Sequence, residues 1–176
     1  MAKVDKDRER SEADLSAPVP LTSDHDLAAF DCGQPELNDW LRHRALKNES
    51  RFARTYVVRH GNRVVAYYCL CAGAVGRAAA PGRIRRNAPD TIPISVIGRL
   101  AVDRAYAGKG LGADILADAL RRIALASQSI GIGAVLVHAK DDAARRFYGR
   151  CAEFIEYPQA SRTLFLPIET VVAAFS

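Results

Sequence analysis

Three glycines in five residues, Gly108, Gly110 and Gly112, stand between an apolar run and a helical pattern. The run, residues 94–102 (Ile-Ser-Val-Ile-Gly-Arg-Leu-Ala-Val), is apolar and rich in β-branched side chains, as a buried strand is. After the glycines, Ile115, Leu116, Ala119, Leu120 and Ile123 recur on one broad helical face. A strand that turns through glycines into a helix is a place to hold a phosphate. Glycine lets backbone N–H groups approach a ligand closely, and the helix N-terminus adds partial positive charge. Spacing excludes two such sites. A nucleotide P-loop needs Lys-Ser/Thr after its glycines, where Gly112-Ala113 stands here. A dinucleotide fingerprint needs Gly-x-Gly-x-x-Gly early in the chain, and this Gly-x-Gly-x-Gly comes late.

Two further groups could do chemistry. Phe147-Tyr148 falls on a helix that Asp141 can cap. A phenol of pKa about 10 is protonated at neutral pH and can act as a general acid toward a departing anion. Spacing alone equally allows Tyr148 to be a core aromatic. Arg77, Arg83, Arg85 and Arg86 lie in residues 75–91 with no acid before Asp90. Pro81-Gly82 and Ala88-Pro89 mark that segment as loop or interrupted structure. Unopposed arginines suit phosphates or carboxylates, or simply a solvated loop.

Around these groups the periodicity predicts a short turn ending at Gly33 and then a helix from Gln34-Pro35. Its apolar stripe is Leu37, Trp40, Leu41 and Ala45. Arg42, His43, Arg44 and Lys47 crowd the other faces, either as a solvated surface or as a polyanion contact. Trp40 reads as a core anchor. Residues 54–59 and 64–71 read as a hairpin about His60-Gly61-Asn62. A helix runs to about Gln128 and stops at Gly131. A short buried strand covers residues 134–137, a helix follows from Asp141, a last strand covers residues 163–166, and a terminal helix covers 167–175.

The chain has 176 residues, 49% hydrophobic and 26% charged, which suits one soluble domain with a substantial core. No apolar run approaches the roughly 20 residues of a membrane span, and the charged start is no signal peptide. Residues 1–19 carry four bases and five acids with few apolar side chains, and they read as a disordered leader before a domain over 20–176. The chain's net charge is +5, and removing the leader leaves 21 bases against 15 acids, so the basic character belongs to the domain and allows a polyanionic partner. Cys32, Cys69, Cys71 and Cys151 form no Cys-x-x-Cys pair. They read as free buried thiols in a reducing cytoplasm, with no metal site.

The Gly-rich turn resembles the pyrophosphate loop of the GNAT superfamily of N-acetyltransferases, with Ala107 where Gln or Arg is usual. Residues 141–154 resemble the family's second signature: Ala144, Phe147, Tyr148 and Phe154 are in register, Asp141 replaces Asn, and Glu153 replaces Gly. Phe30-Asp31-Cys32-Gly33, Leu37-Asn38-Asp39-Trp40-Leu41, Ala45-Leu46-Lys47-Asn48, Gly98-Arg99-Leu100-Ala101-Val102-Asp103-Arg104 and Val137-His138-Ala139 extend the likeness. Together they are similar to the TacT-like toxins of type II toxin–antitoxin systems, over about residues 21–168.

That resemblance implies an α/β (α+β) GNAT fold. Its sheet is mixed and mostly antiparallel, with helices on both faces and a parallel strand pair that splays near Val102 to admit acetyl-CoA. It implies that Leu100, Ala101 and Val102 meet the thioester side and that Ala107, Gly108, Lys109, Gly110, Leu111, Gly112 and Ala113 take the pyrophosphate. Asp141, Ala144 and Phe147 lie beside the cofactor, and Tyr148 protonates the leaving sulfur. The implied acceptor is the α-amino group of aminoacyl-tRNA, so that acetylation stops translation. Arg77, Arg83, Arg85, Arg86, Arg42 and Lys47 are then the candidate tRNA contacts. A ribbon-helix-helix antitoxin, operator DNA reached through that antitoxin, and a homodimer are the implied partners. Two rivals remain: an acetyltransferase of a small or protein amine, and a non-catalytic acyl-CoA-fold regulator. A small cationic amine would favour an acidic pocket, against the basic segment here.

Overall fold

The computed structural model describes residues 14–176. The sequence folds as a mixed α/β structure with one seven-stranded sheet, in the order β1-β2-β3-β4-β5-β7-β6. The strands are β1 (Val19–Pro20), β2 (Arg54–His60), β3 (Arg63–Gly76), β4 (Thr91–Val102), β5 (Ala134–His138), β6 (Ile155–Glu156) and β7 (Thr163–Pro167). The helices are α1 (Pro35–His43), α2 (Ala45–Asn48), α3 (Gly82–Arg85), α4 (Leu111–Ala126), α5 (Asp142–Cys151) and α6 (Ile168–Ala174). Residues 1–13 of the expected leader lie outside the described residues. Among the residues described before the expected domain start, Leu15 bridges His60, and Val19, with Pro20, pairs antiparallel with Val57 and Tyr56. Leu21 enters the core of the first unit, and Val19 packs against it.

Two compact units divide the described chain. The first runs to Cys69 and adds Arg99–Ile115. Its core gathers Leu21, Phe30, Trp40, Leu41, Ala45, Val57, Val64, Tyr67 and Ala101. The stripe predicted on α1 is there, with Trp40 at 7% exposure, as the core-anchor reading expects. The helix breaks at Arg44, whose φ of −124° is not helical, so Ala45 enters the core from α2 instead. Phe30 meets Tyr67 edge-on at 5.5 Å, and the Tyr67 hydroxyl donates to the Leu37 carbonyl at 2.8 Å. Burial pushes the Tyr67 phenol well above its ordinary pKa.

A polar network locks this unit. Asp103, 3% exposed at the end of β4, accepts from the Asp31 amide at 3.0 Å, the Arg63 guanidinium at 3.1 Å and the Ala105 amide at 2.9 Å. Asp31 in turn accepts from the Gly33 amide at 2.9 Å and the Asn38 side chain at 3.0 Å, and it pairs with Arg104. The Gly33 amide first, then Asn38 and Arg104, hold its carboxyl below the ordinary 3.8. The Asp-Cys-Gly and Val-Asp-Arg motifs are thus two halves of one hydrogen-bonded joint.

The second unit holds Leu70–Gly98 and Leu116–Ser176. Its core includes Ala80, Ile84, Ile92, Ile94, Ala134, Leu136 and Phe165. Here β4 and β5 run parallel, Ile94 beside Ala134 through Val96 beside Leu136. β5 then continues its antiparallel pairing with β7 as far as His138 beside Thr163. The parallel ladder therefore ends at Val96, six residues before the expected point at Val102, while the other edge of β5 stays paired with β7. The segment read as loop or interrupted structure, residues 75–91, is interrupted structure. β3 extends to Gly76, a 3₁₀ turn spans Arg77–Ala79, and α3 follows, with Ala80 and Ile84 buried as apolar anchors.

All four cysteines are free. Cys69 is buried and Cys32 and Cys71 are half-buried, but Cys151 is exposed, so the buried-thiol expectation fails there. Among the described residues no helix is long and apolar enough to cross a membrane.

The network makes a stability prediction. Replacing Asp103 with Ala leaves two backbone amides and Arg63 without their acceptor, so unfolding free energy should fall by about 3 kcal/mol. Asp90 pairs with Arg77 in an exposed ion pair at 2.9 Å. Asp90→Ala should change stability by less than about 1 kcal/mol. Denaturant unfolding of both variants checks the ordering.

Candidate active site

The Gly-rich turn leaves β4 through the joint just described. The Asp103 cap closes a 3₁₀ turn at Arg104–Tyr106, and Ala107–Gly110 lead into α4, a 16-residue helix. Gly108 and Gly110 take φ of +74° and +86°, a region open to glycine and strained for other residues. No atom lies within 4 Å of where a side chain would begin at either position. Backbone is thus bare above the first turn of a long helix, where amides have no intrahelical acceptor. An anion such as a pyrophosphate fits that surface.

The side chains around it follow strand alternation. Ala101 points into the first core, while Leu100 and Val102 are half-buried. Ala107, Lys109 and Ala113 are exposed, and Leu111 and Gly112 half-buried. The Lys109 ammonium lies 6.0 Å from the Tyr106 ring centroid. Tyr106 meets His60, its hydroxyl 2.6 Å from Nδ1. Lys109, Tyr106, Leu111 and Asp114 line a cavity of about 460 Å³ that residues 15–18 also wall. Sequence reading missed this cavity, because it discarded residues 15–18 with the leader.

In the second unit, Asp141 is the N-cap of α5, its Oδ1 accepting from the Ala144 amide at 2.7 Å. Both groups named as cofactor contacts are therefore engaged with each other. Phe147 is half-buried. Tyr148, 7% exposed, packs edge-on against Phe147 at 5.2 Å and Phe154 at 5.7 Å. Two phenylalanine rings thus confine the tyrosine ring.

The expected tRNA contacts divide. Arg77 is paired with Asp90 and also donates to the Ala88 carbonyl at 3.3 Å, so the expectation that all four arginines lack counter-charge does not hold for it. Arg83 donates to Thr170 Oγ1 at 3.2 Å, and Arg85 and Arg86 are exposed. In the first unit Arg42 is turned inward to the Phe30 carbonyl, whereas Lys47 is exposed. Among the described residues no group of His, Cys, Asp and Glu side chains converges as a metal site would.

The bare loop yields a prediction. Gly110→Ala forces a left-handed conformation on a side chain and fills the open surface, so acetyl-CoA should bind at least about tenfold more weakly, a change of roughly 1.4 kcal/mol. Gly76→Ala, where φ is ordinary and the space also open, should leave affinity unchanged. Isothermal titration with acetyl-CoA compares the two.

Comparison with known proteins agrees with this geometry. Residues 21–154 match the model of the acetyltransferase (GNAT) family. A tRNA-acetylating toxin of Mycobacterium tuberculosis is 47% identical over 134 residues, covering 76% of this chain and 81% of that protein. Among solved structures, AtaT complexed with acetyl-methionyl-tRNAfMet superposes with a TM-score of 0.84 at 31% identity, covering 93% of this chain and all of the other. A tyrosine-to-phenylalanine mutant of the AtaT toxin, bound to the C-terminus of the antitoxin AtaR and acetyl-CoA, gives 0.80 at 30% identity over 93% of this chain and 99% of that one. The resemblance seen in the Gly-rich turn and in α5 extends over most of the chain, and the chain belongs to the GNAT acetyltransferase family.

Proposed function

We propose that this protein is the toxin of a toxin–antitoxin pair, an N-acetyltransferase that acetylates the α-amino group of aminoacyl-tRNA. The observation that carries this reading is the 47% identity to a tRNA-acetylating toxin over 76% of the chain. A solved relative at 31% identity holds an acetylated methionyl-tRNA, and another holds acetyl-CoA and an antitoxin segment. The cytoplasm, where charged tRNA is used, is the place of action in this reading. An antitoxin neutralises the enzyme there.

Acetyl-CoA, when bound, supplies an acetyl group activated as a thioester. The amides of Gly108–Gly112 and the start of α4 hold its pyrophosphate. The substrate α-amine, with a pKa near 8, is neutral in about a tenth of molecules at pH 7 and about half at pH 8. It needs no strong protein base to attack the acetyl carbon. As the C–N bond forms and the C–S bond breaks, Tyr148 donates its phenolic proton to sulfur, and the amine proton leaves to solvent. Exposed Arg85, Arg86 and Lys47, with Arg83, are available for the tRNA phosphates.

Two measurements test the proposal. Charged tRNA pools incubated with the protein and isotope-labelled acetyl-CoA should show labelled N-acetyl-aminoacyl ends by mass spectrometry, and a free polyamine should stay unlabelled. Tyr148→Phe keeps the ring stack and removes the proton, so turnover should fall by roughly 10²–10⁴-fold with acetyl-CoA affinity kept. Parent-like turnover would make Tyr148 a packing residue only. The triple change of Arg83, Arg85 and Arg86 to Glu should raise the KM for charged tRNA and flatten its salt dependence, while acetyl-CoA binding stays near the parent value.

A further inference from the structure

The strand motif that precedes the Gly-rich turn contains Arg99, to which the proposed mechanism gives no role. Arg99 stands on β4 immediately before Leu100–Val102, and its guanidinium lies over the Trp40 ring, 4.3 Å from the centroid. Trp40 is itself stacked on Tyr67, 5.9 Å away and inclined by 13°. Buried aromatics therefore support the charged plane from below. The pair opens onto a cavity of about 470 Å³ lined by Glu36, Asp39, Trp40, His43, Arg44 and Arg99. None of the ion pairs among the described residues uses Arg99, Arg44 or His43.

A guanidinium plane fixed on an indole is a stacking platform that carries positive charge. Unpaired RNA bases are recognised by stacking on such planes and on aromatic rings, with cations meeting the adjoining phosphate. Resting on the reading of aminoacyl-tRNA as acceptor, we propose that this cavity receives the unpaired 3′ end of that RNA. The terminal base lies on Arg99, and Arg44 and His43 meet the phosphate before it. Glu36 and Asp39 disfavour a purely anionic ligand. Their carboxylates suit the hydroxyl and amino donors of a nucleoside. The placement on β4 suits this occupant, since the aminoacyl ester is carried on that same terminal nucleotide. Arg99 is then a substrate-binding residue for RNA, separate from the arginines of residues 77–86.

Trp40 is the chain's single tryptophan and reports directly on the site. The full-length protein is titrated with the trinucleotide CCA while tryptophan fluorescence is followed, and KM values are measured in parallel for charged tRNA and for acetyl-CoA. The parent should give a saturable fluorescence change. Arg99→Lys keeps the charge and loses the plane. It should weaken trinucleotide binding, and raise the KM for charged tRNA, by about tenfold, the scale of one base stack. The KM for acetyl-CoA and the thermal midpoint should stay at the parent values. Arg44→Ala should reduce the salt dependence of trinucleotide binding without changing the fold. A parent protein that shows no fluorescence response, or an Arg99→Lys variant with parent affinity and KM, overturns the inference even if tRNA is acetylated. Saturable, Arg99-dependent binding by a protein that acetylates no charged tRNA keeps the site and overturns the functional reading instead.

Discussion

The carboxylate of Asp103 is the constraint on which the first unit depends. Its two oxygens fix the Asp31 amide from one part of the chain, Arg63 from β3, and its own following turn through Ala105. A buried anion is tolerated only when its lone pairs are filled by donors. The joint therefore forms with all its parts or not at all. It sets where β4 stops and in what direction the chain leaves, and so where the glycines begin. The left-handed φ values of Gly108 and Gly110 cost glycine little and connect the fixed turn before them to the helix after them.

Much of this was legible in the residues. Glycine spacing between a β-branched run and an amphipathic pattern located β4, the loop and α4, because each uses a local signal of period or backbone freedom. Trp40 and Leu41 declared a buried face on α1, and Asp141 declared the cap of α5. What was not legible depends on partners far along the chain. The two-residue strands β1 and β6 are too short to show alternation. Residues 14–18 look like leader by composition, yet Leu15 bridges His60 and Ser16 is bonded to Arg59, its amide to the Arg59 carbonyl at 2.9 Å. The end of the parallel ladder at Val96 depends on where β4 and β5 part, which neither segment displays alone.

Counting arginines does not show where each is engaged: Arg42 donates to the Phe30 carbonyl and Arg77 pairs with Asp90. Guanidinium has five donors, so it is recruited as readily to finish a fold as to meet a phosphate. The useful distinction is whether a carboxylate or carbonyl already faces the group. By that standard Arg85, Arg86 and Lys47, all exposed, remain candidates for an anionic partner.

In the proposed reading, Tyr148 combines packing and chemistry in one side chain. An acid that must protonate a particular atom gains from having few rotamers, since mispositioning by even an ångström lowers the rate. Phe147 and Phe154 hold the Tyr148 ring edge-on, and the α5 cap at Asp141 fixes the helix that carries it. A core aromatic and a general acid are therefore compatible roles, which is why spacing alone could not separate them. The hydroxyl separates them: phenylalanine would pack against the same two rings and could give up no proton.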